Sequence, residues 1–165
     1  MKKICENLFI GSLDDCVEGD SNLSVVHACK TPCHQNKIGY TGNLPKNHGH
    51  YLYFRDEYNL YLNIIDPPIP LFQKKTFDIF FEFMAMKASF GDNVLIHCNQ
   101  GKSRAPSLGL LFMARVFWDS LRGNSYAESR KDFEKIYPEY NPGKGIETYL
   151  TENWEKLIQS PPIYL

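Results

Sequence analysis

One stretch constrains this chain more than any other: Val94-Leu95-Ile96-His97-Cys98-Asn99-Gln100-Gly101-Lys102-Ser103-Arg104. A short apolar run suited to a buried strand gives way to a polar loop, and the loop opens into apolar sequence of helical length. Pro106 is compatible with that helix because it falls in the first turn, where a missing N–H is no loss. A strand that turns directly into a helix is the unit of α/β folds, whose ligands sit where strands end and helices begin.

The rest of the pattern agrees with that unit. Asn7 to Gly11 reads as a short strand, Leu23 to Cys29 as a buried one, and Tyr51 to Phe54 and Leu60 to Ile65 as two more. Residues 30–50 read as a loop punctuated by Pro32, Gly39, Gly42, Pro45 and Gly49, long enough to suggest a functional, substrate-facing segment. Pro67, Pro68 and Pro70 then introduce an amphipathic helix over 71–89, in which Phe77, Phe80, Phe81, Met84 and Ala88 recur at helical spacing as a core stripe. Further helices are expected over Arg104 to Trp118, from Ser125 or Tyr126 to Ile136, and over Ile146 to Ile158. The expected fold is α/β, a central, mostly parallel, twisted sheet flanked by helices, with residues 1–165 forming one domain.

Composition removes several function classes. With 18 basic and 19 acidic residues the net charge is −1, so no basic stripe argues for nucleic acid and any anion site must be local. No apolar run approaches the roughly 20 residues of a membrane span; the best, Leu108 to Trp118, is broken by Arg115. Met1-Lys2-Lys3 is followed by no apolar run that would make a signal peptide. The 5 cysteines (Cys5, Cys16, Cys29, Cys33, Cys98) are odd in number and irregular in spacing, which suits reduced thiols in the cytoplasm. The expectation is a monomer without membrane attachment.

Two anion-binding readings compete for the loop. Gly101-Lys102-Ser103 suggests a nucleotide-binding loop, but that motif needs a glycine where Ile96 stands in the strand. The alternative brackets one tetrahedral oxyanion between Cys98 and Arg104. The intervening amides turn inward, the helix offers its positive N-terminus, and Arg104 supplies a planar bidentate grip. The same positive field favours the thiolate of Cys98, the form that attacks phosphorus. A buried structural cysteine beside an unrelated arginine is the alternative.

His97-Cys98-Asn99-Gln100-Gly101-Lys102-Ser103-Arg104 resembles the His-Cys-x-x-Gly-x-x-Arg signature of the protein tyrosine phosphatases, specifically the small, atypical dual-specificity branch. Asn7-Leu8-Phe9-Ile10-Gly11-Ser12 is similar to that branch's opening strand, and Pro138 to Gly145 to its loop before the last helix. The resemblance implies a phosphatase that acts through a phosphocysteine intermediate and needs no cofactor and no metal. Cys98 is then the nucleophile, Arg104 binds phosphate, and Asn99, Gln100, Gly101, Lys102, Ser103 and Arg104 form the cradle. It also implies an aspartate acid on a loop upstream, a place that Asp66 occupies before Pro67-Pro68. A helix start is the alternative role for Asp66, and Asp56 and Glu57 are the reserve acids.

The resemblance departs at Ala105, where the family carries a Ser or Thr hydroxyl that helps the thiolate leave in the second step. His97 is expected to be a supporting hydrogen-bonding residue behind the thiolate, and Asn141 a rim residue or an ordinary turn. Cys29, Cys33, His34, His48 and His50 have ligand chemistry for zinc but match no familiar spacing. A phosphorylated protein, with phosphotyrosine and some phosphoserine or phosphothreonine, is the expected substrate. A phosphoinositide is disfavoured by Asn99, and RNA 5′-phosphate ranks behind it. A low-turnover phosphate-binding pseudophosphatase is the rival of a different class; a rhodanese-like sulfur transferase is disfavoured by Arg104.

Overall fold

A computed structural model describes residues 1–116 and 125–159. Its sheet has six strands: β1 (Lys2–Cys5), β2 (Leu8–Gly11), β3 (Ser24–His27), β4 (Tyr53–Arg55), β5 (Asn59–Leu62) and β6 (Val94–His97), in the order β1-β2-β6-β3-β5-β4. The four central strands run parallel, and the two edge strands pair antiparallel to their neighbours. The helices are α1 (Gln35–Ile38), α2 (Lys74–Ser89), α3 (Arg104–Val116), α4 (Tyr126–Ile136) and α5 (Lys144–Ile158). None of the described helices is long and apolar enough to cross a membrane.

Side chains alternate across the strands, and the two faces of the sheet differ in chemistry. Ile10, Val26, Leu60, Leu62 and Ile96 face the main core, which Phe77, Phe80 and Phe83 of α2 fill together with Leu108 and Leu111 of α3 and residues of α4 and α5. The other face carries His27, Tyr61 and His97. It is covered by a thinner layer, the turn Lys30–His34 and α1, whose Lys37 lies over the Tyr61 ring. Register β3-to-β6 pairs His27 with His97, and this places two imidazoles side by side at the carboxyl ends of adjacent strands.

Several boundaries differ from the sequence reading, among them β5, which ends at Leu62 rather than Ile65, and β4, which covers Tyr53–Arg55 rather than Tyr51 to Phe54. β1 was not expected, because Lys2 and Lys3 mask a strand that carries only one fully buried side chain, Ile4. The 30–50 loop begins with helical turns from Lys30 to Ile38, which Gly39 closes in a left-handed conformation. α2 starts at Lys74 rather than 71, and α5 starts at Lys144, two residues before Ile146. The expected end of the third helix at Trp118 lies outside the described residues.

A buried hydroxyl chain ties the site's far wall to the helices. Tyr140 Oη lies 2.9 Å from Ser107 Oγ of α3 and 3.0 Å from Tyr126 Oη of α4. Tyr140→Phe strands two buried hydroxyls and should lower unfolding free energy by about 1–3 kcal/mol, read by urea denaturation.

Candidate active site

Cys98 follows β6 directly and Arg104 opens α3, so the loop spans strand end to helix start. Its carbonyls are taken up by surrounding groups. Leu13 N–H donates to the Asn99 carbonyl at 3.2 Å and Asn141 N–H to the Lys102 carbonyl at 2.8 Å. The Tyr137 hydroxyl donates to the Gly101 carbonyl at 2.9 Å. In a planar trans peptide the N–H points away from the preceding C=O, so the amides of Gln100, Lys102 and Ser103 turn into the loop. None of the three donates to a protein acceptor among the described residues.

Gly101 makes the curl possible. Its φ is +68°, and a Cβ there would sit 2.9 Å from the Gly11 carbonyl oxygen. Both the left-handed backbone and the close approach of β2 exclude a side chain.

Arg104 is 9% exposed. Its Nη1 donates to the Ile64 carbonyl at 3.2 Å and its Nη2 to Asn99 Oδ1 at 2.6 Å, while Asn99 Nδ2 donates to the Thr31 carbonyl at 2.8 Å. Nε has no partner, and no carboxylate pairs with this guanidinium among the described residues. A buried cation without a counter-charge is costly unless an anion joins it. Cys98, 1% exposed, lies at the base of the same loop.

Asp66 is brought to this loop by the start of α5. Gly143 N–H donates to Ser103 Oγ at 2.8 Å, and a Cβ on Gly143 would fall 2.2 Å from Asp66 Oδ1. The following segment is held by Gly145 N–H donating to the Pro67 carbonyl at 3.2 Å. The reserve candidates lie elsewhere: Asp56 and Glu57 precede β5 at the amino end of the parallel strands, opposite the loop. Asp56 is committed there to the Asn59 amide and to Lys37, 3.4 Å away. Asn141 reaches the loop through its backbone N–H, with its side chain exposed.

His97 is fully buried, its Nε2 2.8 Å from His27 Nδ1. Burial, and next the neighbouring His27 ring, push it down to about 4, so it is neutral at physiological pH. Burial also lowers His27, although Asn59 opposes the shift. Burial raises Cys16, and a contact with Cys29 followed by burial raises Cys33. Of the thiols and imidazoles whose chemistry suits zinc in the sequence, only Cys33 joins such a cluster among the described residues, and its partners are Cys16, His27 and His97. The contacts that Gly11, Tyr137 and Gly143 make at the loop went unread in the sequence, since each depends on an approach that chain distance conceals.

Replacing Gly101 by Ala should cost about 1–3 kcal/mol of stability from backbone strain. It should also weaken tungstate or phosphate binding, as calorimetry of the variant against the parent would show.

No family model matches the chain, and no curated protein does. Solved structures do. The human tyrosine phosphatase-like serine/threonine/tyrosine-interacting protein aligns over 97% of this chain and 98% of its own, with TM-score 0.66 and 19% identity. Human DUSP28 aligns over 95% and 97%, with TM-score 0.64 and 17% identity. PTPMT1, solved in complex with PI(5)P, aligns over 94% of both chains, with TM-score 0.61 and 13% identity. With its parallel core, its six-strand order and a Cys-to-Arg loop at the end of the central strand, this chain has the fold of the small dual-specificity phosphatases.

Proposed function

We propose that the chain hydrolyses phosphate monoesters, with a phosphorylated protein as substrate, through a phosphocysteine formed on Cys98. One observation carries the reading: a buried Arg104 without a carboxylate, in the same loop as Cys98 and inward-facing amides without protein acceptors. Such a constellation is completed by a tetrahedral oxyanion. A reducing compartment such as the cytoplasm suits a reaction that needs a free thiol.

In the first step Cys98 Sγ attacks phosphorus as the bond to the leaving oxygen breaks, and Asp66 delivers its proton to that oxygen. The loop amides and Arg104 hold the three equatorial oxygens as charge develops on them. In the second step water attacks phosphorus, Asp66 takes up the water's proton, and the S–P bond breaks to return Cys98.

Cys98→Ser should abolish turnover of a phosphotyrosine peptide, and retained activity would refute the mechanism. Asp66→Asn should lower kcat about 10²–10⁴-fold on an alkyl phosphate and far less on an aryl phosphate that leaves unaided. Gly143→Ala offers a gentler probe, since its φ of −61° accepts alanine while the new methyl displaces the Asp66 carboxylate. It should reproduce the leaving-group dependence of Asp66→Asn with phosphate affinity retained.

Ala105 supports a slow second step. Of the neighbouring hydroxyls, Ser107 pairs with Tyr140, and Ser103 Oγ is held toward the start of α5 by accepting Gly143 N–H. Ala105 itself is fully buried and offers no hydroxyl to the departing thiolate. A burst equal to the enzyme concentration is expected, with Ala105→Ser raising steady-state turnover; an unchanged rate would sink this step. Turnover too low to measure with tight phosphate binding retained would favour the pseudophosphatase reading, for which Ala105 is the specific observation. A phosphoinositide is less well supported, because Asn99 is turned inward onto Arg104 and Thr31 where a second loop cation would be needed.

A further inference from the structure

We propose that Cys16, His27, Cys33 and His97 form a tetrahedral site for zinc on the sheet face behind the loop, a property independent of the phosphatase reading. Their four donor atoms all lie within 4.8 Å of one another. Zinc bonds of about 2.3 Å to sulfur and 2.0–2.1 Å to nitrogen, in a tetrahedron, require sulfur about 3.6 Å from nitrogen and sulfurs about 3.8 Å apart. Cys16 Sγ lies 3.6 Å from His27 Nδ1 and 4.0 Å from Cys33 Sγ. The imidazole pair, at 2.8 Å, needs to open by about half an ångström.

The surroundings are those of a metal ligand set. His27 Nε2 lies 3.2 Å from Asn59 Oδ1. That oxygen also accepts Gly19 N–H at 2.7 Å, and the Asn59 amide nitrogen donates to Asp56 Oδ1 at 3.0 Å. The amide is therefore oriented oxygen-first, Nε2 carries the proton, and the Nδ1 lone pair faces the other three donors. A ligating histidine held at its far nitrogen in this way is the usual second layer of a zinc site. Tyr61 stacks on the same ring at 4.0 Å and fixes its plane.

Two thiolates and two neutral imidazoles select zinc over harder cations. On binding, Cys16 and Cys33 each release a proton and the His97 proton moves from Nε2 to Nδ1, leaving a site of zero net charge. The cation would join the carboxyl ends of β3 and β6 to the Cys16 and Cys33 segments. Those segments abut the loop through Leu13 N–H to Asn99 and Asn99 to Thr31.

The test uses the full chain purified under reductant without chelator, its metal measured by elemental analysis, and the stripped chain titrated with zinc against a chromophoric chelator. One zinc per chain is expected, with cobalt giving thiolate charge-transfer bands and intense tetrahedral d–d bands. Cys16→Ser, at a half-buried position, and Cys33→Ser should each weaken zinc by at least about a hundredfold, while Cys5→Ser on β1 leaves it unchanged. The proposal is overturned if the reduced, stripped chain takes up no zinc, if uptake survives both serine changes, or if cobalt shows no sulfur bands. A chain that forms a Cys16–Cys33 disulfide in air but ignores zinc would likewise overturn it, making the cluster a redox pair.

Discussion

The placement of every group around the loop follows from how its carbonyls are satisfied. Three residues from two segments distant in sequence, Leu13 on one and Tyr137 and Asn141 on the other, each take one carbonyl outward. Because the peptide is planar, those three bonds decide where the amides point, and a fourth bond, from Gly143 to Ser103, seats the beginning of α5. The loop is thus oriented from outside, by bonds to groups that lie beyond it. This preorganisation is what an electrostatic site requires, since donors already aimed need no rearrangement as charge develops.

The arginine shows the same economy from the opposite side. Two of its nitrogens are held by Ile64 and Asn99, which fixes the plane of the guanidinium and leaves Nε as the nitrogen with no protein partner among the described residues. Asn99 in turn is held by Thr31, so the cation's position depends on the turn that follows β3. A side chain held in this way loses little further entropy on binding, which favours affinity for a small ligand.

Cys98, Gly101 and Arg104 were legible in the sequence because one strand, one loop and one helix carry them all, and local spacing encodes local geometry. The parallel sheet was legible for a similar reason, apolar runs alternating with helical periods. β1 was not, since a strand with one buried side chain at an edge leaves almost no period-two signal. Asp66 could be found only by resemblance. Its carboxylate lies where a side chain on Gly143 would sit, and that closeness across the chain is invisible to local sequence pattern. The thiol and imidazole cluster was hidden more thoroughly: its four members come from two loops and two strands, so no linear spacing describes them. The register of β3 against β6 creates it, and register is a property of pairing rather than of either strand.

The approach of Gly143 and Gly145 to the segment from Asp66 to Ile69 has a consequence for how such a chain diverges. At Gly145 the contact is main chain against main chain, with a methyl group there falling 2.2 Å from the Pro67 carbonyl and 2.5 Å from that of Ile69. Contacts of this kind have no rotamers and make no demand on the side chains of the other partner. The path of the segment from Pro67 to Ile69 therefore depends on the absence of a side chain at Gly145 and not on which side chains surround it. A scaffold positioned in this manner tolerates change in most of its side chains, because the contact that sets its course is made by backbone.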